Sequence, residues 1–200
     1  MKGSILRDNF YNRDTVEVAR DLLGHYLYRE SAEGLVSGII VETEAYLSDN
    51  DPACHAARGK TTRNEVMFGP PGIAYVYFIY GNHYCFNVVT GPDGRGEAVL
   101  VRAVEPLDGL LLIAGRRGPA VAKDNLTSGP GKLCQAFAID GSFNGHDLKH
   151  KPLYLGLNES ASRYRPVKAT PRIGLTVGED KLLRYVVAGN PYLSRREPLE

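Results

Sequence analysis

Residues 38–55, GIIVETEAYLSDNDPACH, gather the groups best suited to acid–base chemistry. Ile39, Ile40 and Val41 are β-branched and begin a β-prone run that ends at Tyr46. Side chains alternate across a strand, so Ile39, Val41, Thr43 and Ala45 share one face and Ile40, Glu42, Glu44 and Tyr46 the other. Two carboxylates and an aromatic ring then stand in a row, with Glu44 beside the ring. The chain next breaks into Ser48, Asp49, Asn50, Asp51 and Pro52, a loop composition, and His55 can fold back over the strand end. Taken alone, the same pattern describes an edge strand with a solvated acidic face, because most surface glutamates have no further role.

The elements around this stretch sharpen the reading. Residues 14–23 carry a helical apolar stripe, Val16, Ala19, Leu22 and Leu23, with Asp14 as the cap and Gly24 as the stop. Tyr26–Arg29 reads as a short strand that turns near Glu33-Gly34 into the 38–46 strand. Residues 72–90 read as a hairpin: Tyr75–Tyr80 is strongly β-prone, Gly81-Asn82 is a two-residue turn signal, and His83–Thr90 returns. Tyr80 and His83 then lie at the tip, where Tyr80 either folds under as packing or projects as a wedge into another molecule. Tyr75 and Tyr77 share a face and, with Tyr46, form either an aromatic pocket wall near Glu44 or an ordinary aromatic core.

Positive charge is placed unevenly. Arg58, Lys60 and Arg63 lie in the loop RGKTTRN, either a solvated basic loop or a phosphate-contacting one. Residues 97–105 read as a strand in which Arg102 shares a face with Ala98, Leu100 and Val104. A charge there needs a partner, either a carboxylate or a ligand phosphate. Residues 106–115 read as a helix with Arg116-Arg117 at its end. Residues 128–138 read as a helix entered through Ser128 with Pro130 in its first turn, and its free amides with Lys132 form an anion site. Short strands are expected at 152–157, 166–176 and 182–188, with Arg163, Arg165, Lys168 and Arg172 adding positive charge.

The 200 residues suit one domain with a sizeable core. No run approaches a membrane span, and MKGSILRDNF lacks the apolar run of a signal peptide. Cys54, Cys85 and Cys134 form no CxxC pair and are odd in number, which disfavours a disulfide framework or zinc cluster and fits a reducing, cytoplasmic setting. The net charge of +1 fails the strongly basic criterion for a nucleic-acid binder, so DNA contact would need local basic patches. The 12 tyrosines against no tryptophan make stacking faces with polar tips the unusual resource of this chain.

Metal-dependent hydrolysis lacks an HExxH motif and a cysteine cluster, and serine hydrolysis lacks a GxSxG elbow. A nucleotide-directed enzyme fits better. Chemistry on a base inside a duplex requires extruding the base, filling the gap and holding the base between rings. Unstacking costs about a few kcal/mol per step, and stacking rings return roughly 1–3 kcal/mol each. Two other classes stay open. A non-catalytic lesion-recognition module would bind without product. A carbohydrate glycosidase would use Glu42 and Glu44 as an acid–base pair, although same-face strand neighbours stand side by side, roughly 6–7 Å apart at the backbone, rather than across a substrate.

The segments VETEAYL (41–47) with His55, RGKTTRN (58–64), MFGPPGIAYVYFIYGNHYCFNVV (67–89), VLVRAVEPLDG (99–109), SGPGKLCQAF (128–137) and PRIGLTVG (171–178) occur in an order that resembles the alkyladenine (3-methyladenine) DNA glycosylases of the mammalian type, in a compact form. The resemblance covers most of the chain, and the pairing of ETEAY with YVYxIYG is specific. It implies a mixed α/β (α+β) fold, one glycosylase domain over 1–200 around a curved antiparallel sheet, with a protruding β-hairpin and peripheral helices. It implies base excision from damaged double-stranded DNA; a monomer is the default for one domain acting on duplex DNA, and no cofactor or metal is expected. By position, the general base falls on Glu44, with Arg102 organising the water and the flipped nucleotide. The intercalating tyrosine falls on Tyr80. The base-binding residues fall on Tyr46, His55, Tyr77 and Asn87, the last disfavouring guanine. DNA-backbone contacts are expected from Arg58, Lys60, Arg63, Lys132 and Arg172. One tension follows: a two-residue Gly81-Asn82 turn puts Tyr77 and Asn87 on opposite faces, so both can line a pocket only if the loop is longer or a strand is bulged.

Overall fold

The computed structural model describes residues 3–195. Its centre is a long strand, β2 (Gly34–Tyr46), reached through two short helices, α1 (Asp8–Tyr11) and α2 (Thr15–Asp21), and a strand β1 (Tyr26–Ser31). As expected, Asp14 caps α2, its carboxylate accepting from the Val16 and Glu17 amides. After β2 come β3 (Ala74–Ile79), β4 (His83–Thr90) and β5 (Glu97–Pro106), then α3 (Leu110–Arg117) and α4 (Pro130–Phe137). Three short strands follow: β6 (Leu153–Gly156), β7 (Val167–Thr170) and β8 (Arg184–Val187).

All strands form one antiparallel sheet in the order β3-β4-β5-β2-β1-β6, and β8, itself paired with β7, branches onto β2. On one side β5 follows β2 from Gly38 to Tyr46; on the other β1 pairs with Gly34–Ile39 and β8 with Glu42–Glu44. The strand is therefore interior where it carries the glutamates, and its Gly34–Ser37 start has a single ladder partner. The edge-strand reading fails, and both Glu42 and Glu44 are 0% exposed.

Two irregularities in the β2–β5 ladder place the charges. Ile40 faces Val104, Glu42 faces Ala103 and Thr43 faces Val101, so Val41 is extra on one strand and Arg102 on the other. The two bulges offset each other and restore the register, and Arg102 reaches Glu42 and Glu44 on the face where Glu44 pairs with Leu100.

Two apolar clusters hold the sheet. The larger joins its inner face to α2 and α4 through Val18, Leu22, Phe86, Leu133 and Phe137. The smaller, Cys54, Ala56, Met67, Tyr75, Val89 and Ala98, lies under the 47–68 loop, with Tyr46 and Tyr77 packed against it. Three expected boundaries shift. The 106–115 helix begins at Leu110 after a left-handed Gly109. Helix α4 begins from Gly129, and the Ser128 hydroxyl bonds Asn125 rather than capping the helix. Residues 171–176 do not continue β7 but form an irregular segment.

Candidate active site

The β3–β4 hairpin resolves the tension over Tyr77 and Asn87. Ile79 pairs with His83, which leaves a three-residue loop, Tyr80-Gly81-Asn82, where the sequence pointed to two. In this register Tyr77 faces Cys85 and Tyr75 faces Asn87, so all four share one face of the ribbon. The loop turns tightly because Tyr80 and Gly81 both take positive φ, 54° and 72°. That conformation is unfavourable for a bulky residue. Tyr80 is 80% exposed at the tip and does not fold under the hairpin.

The shared face closes a narrow cavity of about 20 Å³ lined by Tyr46, His55, Met67, Tyr75, Tyr77 and Asn87. Tyr75 and Tyr77 lie with ring centroids 5.3 Å apart, and the His55 ring meets Tyr77 edge-on at 4.6 Å. His55 has an exposed edge at the rim, and its Nδ1 lies 2.9 Å from the Tyr75 hydroxyl. Desolvation among the tyrosines, then the charge of Arg63, holds the His55 pKa below its ordinary value. Burial pushes the Tyr75 phenol up to about 12, and burial followed by the Glu44 charge raises Tyr46, so both phenols stay protonated at neutral pH. A larger cleft of about 410 Å³ around Arg13, Asp49, Arg95 and Glu97 lies elsewhere. Among the described residues both of its arginines are paired, Arg95 with Asp49 and Glu97 and Arg13 with Asp21.

Glu44 stands at the junction of pocket and sheet. Its Oε2 accepts from the Tyr46 hydroxyl at 2.9 Å and from Arg102 Nη1 at 3.2 Å; its Oε1 accepts from the Ile173 amide at 2.8 Å. A carboxylate offers about four acceptor positions, and the described residues fill three of them, leaving the second position on Oε1. Glu42 is spent differently. Its oxygens take Arg184 Nε at 2.7 Å, Arg102 Nε at 3.0 Å, and the Ser194 hydroxyl and amide at 2.6 Å each. Burial opposes its charge, yet Arg102 and Arg184, with these hydrogen bonds, hold its pKa below the ordinary carboxylate value. Arg102 is thus shared between the two carboxylates, which answers the sequence-level question of its partner.

The expected backbone-binding residues divide. Arg58, Lys60 and Arg63 are exposed on the loop beyond His55. Buried Asn64 shapes that loop, donating to the carbonyls of His55 and Gly59 and accepting from the Thr61 amide. Lys132 is half-buried at the start of α4, bonded to Asn125 and 3.4 Å from the Ser128 hydroxyl. Arg172 contradicts its expected role. Its side chain and that of its partner Asp51 are 0% exposed, so it cannot meet a phosphate. Sequence reasoning also passed over Met67, Asn64, Arg184 and Ser194. Arg184 and Ser194 act through Glu42, 142 and 152 residues away, which no local pattern marks, whereas Asn64 acts on its own loop.

The chain matches the family model described as Methylpurine-DNA glycosylase (MPG) over residues 9–191. Curated relatives called "Putative 3-methyladenine DNA glycosylase" include one from Carboxydothermus hydrogenoformans, 53% identical over 96% of this chain and 100% of the relative. Another, from Methanoculleus marisnigri, is 51% identical over 94% and 97%. A third, from Methanocella arvoryzae, is 46% identical over 97% and 98%. Both the match along nearly the whole chain and the pocket built on β2 and the β3–β4 hairpin place it: the chain belongs to the methylpurine-DNA glycosylase family.

Proposed function

We propose that this chain, acting as one domain and as a monomer, flips an alkylated or deaminated purine out of duplex DNA and hydrolyses its N-glycosidic bond. The observation that carries the reading is Glu44, bonded to the Tyr46 hydroxyl at the aromatic pocket, on a molecule whose hairpin tip presents an exposed Tyr80. Tyr80 fills the vacated stack. The purine enters between Tyr46 and Tyr77 with His55 at the rim, and Asn87 borders its edge.

Glu44 uses its remaining acceptor position to hold a water and takes one of its protons. The water oxygen bonds to the anomeric carbon as the C–N bond breaks, and that bond's electron pair leaves with the base. The transition state has oxocarbenium character, as in glycoside hydrolysis. Arg102, fixed by Glu42, steadies Glu44 from behind. Positioned general-base assistance of this kind contributes about 10²–10⁴-fold. An alkylated purine is already a cationic leaving group; hypoxanthine needs protonation. The product is an abasic site with the strand intact. The carbohydrate-glycosidase reading loses ground because Glu42 is fully engaged by two arginines and Ser194.

Backbone contact is assigned to Arg58, Lys60 and Arg63, with Lys132 at the α4 end. Three free buried cysteines agree with a reducing cytoplasm, and no helix among the described residues is long and apolar enough to cross a membrane. The deciding experiment is single-turnover base release from duplexes holding hypoxanthine or 3-methyladenine. Wild type should release base, and Glu44→Gln should bind the lesion but release about 10²–10⁴-fold more slowly. Binding without release by wild type would leave a recognition module; undiminished release by Glu44→Gln would remove Glu44 from its role.

A further inference from the structure

Arg172 lies in the irregular segment between β7 and β8, where regular pairing does not fix the backbone. Its Nη1 and Nη2 donate to the two oxygens of Asp51 at 2.7 and 2.5 Å, the forked geometry of a guanidinium on a carboxylate. Nη1 also donates to the Ala45 carbonyl at 2.9 Å. The guanidinium carbon stands 4.6 Å from the centre of the Tyr46 ring, covering one face of it. The next residue contributes the Ile173 amide that bonds Glu44 Oε1. Two successive residues of one loop therefore hold three successive residues of β2: the carboxylate of Glu44, the carbonyl of Ala45 and the ring of Tyr46.

The anchor is itself tied down. Asp51 accepts from the Leu47 amide at 3.1 Å and the Ala53 amide at 3.3 Å. A buried ion pair is weak evidence for stabilisation, because desolvation offsets most of its attraction. What distinguishes this pair is what it positions.

We propose that Arg172, clamped by Asp51, is a positioning residue for base excision: it backs the Tyr46 ring so that only the opposite face can receive the flipped purine, and it fixes the loop whose Ile173 amide orients the Glu44 carboxylate. This rests on the assignment of Glu44 and Tyr46 above. It also reverses the role that the sequence assigned to Arg172, because a positioning residue affects the chemical step and a phosphate contact affects affinity.

The test compares wild type with Arg172→Met, Arg172→Lys, Asp51→Asn and the Arg172→Met/Asp51→Asn double variant. Two quantities are read: single-turnover release from a hypoxanthine duplex, and equilibrium binding of that duplex across a salt series. Arg172→Met should slow release about 10²-fold, the scale expected for a misplacement near 1 Å, with affinity and its salt slope unchanged. Arg172→Lys should recover only part of the rate, because an ammonium cannot make the fork. Asp51→Asn should slow release too, and the double variant should be no slower than Arg172→Met, since the pair acts as a unit. If Arg172→Met fails to fold, Arg172→Lys and Asp51→Asn, checked by circular dichroism, carry the same comparison. Unchanged release in the folded variants overturns the proposal. So does a loss of affinity with a salt slope reduced by about 1, the signature of a phosphate contact. A wild type that releases no base overturns the excision reading itself, and this proposal with it.

Discussion

Asn87 lies directly across the hairpin from Tyr75 and donates its Nδ2–H to the Tyr75 carbonyl at 3.0 Å. This bond fixes the amide's orientation, so the group bordering the pocket is held and cannot swing aside for a larger purine. Asn87→Ala should therefore relax discrimination. The ratio of 7-methylguanine to hypoxanthine release in single-turnover assays should rise by about tenfold or more, the range seen when a pocket gains or loses a small group. An unchanged ratio would assign the discrimination to other residues.

Tyr80 stands in a left-handed conformation that costs a bulky residue about 1–3 kcal/mol. Glycine adopts it freely. Tyr80→Gly should raise the melting temperature of the free protein while slowing base release, because the wedge is gone. Base stacking on a ring is worth roughly 1–3 kcal/mol, which sets the expected loss in lesion retention. A variant both less stable and fully active would contradict the wedge and the strain together.

The exposed charges Arg58, Lys60 and Arg63 follow the polyelectrolyte rule. Each that meets a phosphate releases about one counterion, so replacing it by alanine should weaken binding to damaged and undamaged duplex alike. The log–log salt slope should fall by about 1 for each phosphate left without its cation. Binding titrations at several salt concentrations decide how many of the three touch DNA.

Acid should unfold this protein through its buried carboxylates. For Asp51, burial opposes the charge, but the Arg172 hydrogen bonds and charge together with the Leu47 and Ala53 amides outweigh it, so its folded pKa, like that of Glu42, lies below the unfolded value near 4. Between the folded and unfolded values the unfolded chain binds more protons. The stability these groups contribute is present above about pH 4 and is lost as pH falls through their folded values. Denaturant melts from neutral to acid pH should show that loss. Glu42→Gln should flatten it while lowering stability at neutral pH by about 3–5 kcal/mol, the usual result of removing one partner from a buried pair.

Local pattern carried much of the architecture. The β-branched run Ile39–Val41, the Asp14 cap and the aromatic run from Tyr75 all fall in the elements their residue types predicted, although β2 begins earlier, at Gly34, and β3 ends at Ile79, before Tyr80. The face shared by Glu42, Glu44 and Tyr46 was legible for the same reason. The hairpin tip was not: Gly81-Asn82 is a strong two-residue turn signal, yet Ile79 pairs with His83 and the loop takes in Tyr80 as a third residue. The burial of β2 was also hidden. A strand carrying two glutamates reads as solvated until Arg102, Arg184 and Arg172 arrive from positions 58 to 142 residues away to neutralise their neighbourhood. Arg172 shows the limit most plainly, since an arginine in an irregular segment has the same sequence signature whether it faces phosphate or core.

The pairing of β2 on both sides has a dynamic corollary. A strand whose amides are locked by β5 along one flank and by β1 and β8 in succession along the other can open only when the sheet itself comes apart. In amide hydrogen exchange its protons should belong to the slowest class, tracking global unfolding, while the tip at Tyr80–Asn82 and the loop at 58–63 exchange through local opening. Adaptation to different lesions and duplex shapes would thereby fall to the periphery, while the Glu44 carboxylate, proposed above as the general base, keeps one fixed position on the sheet.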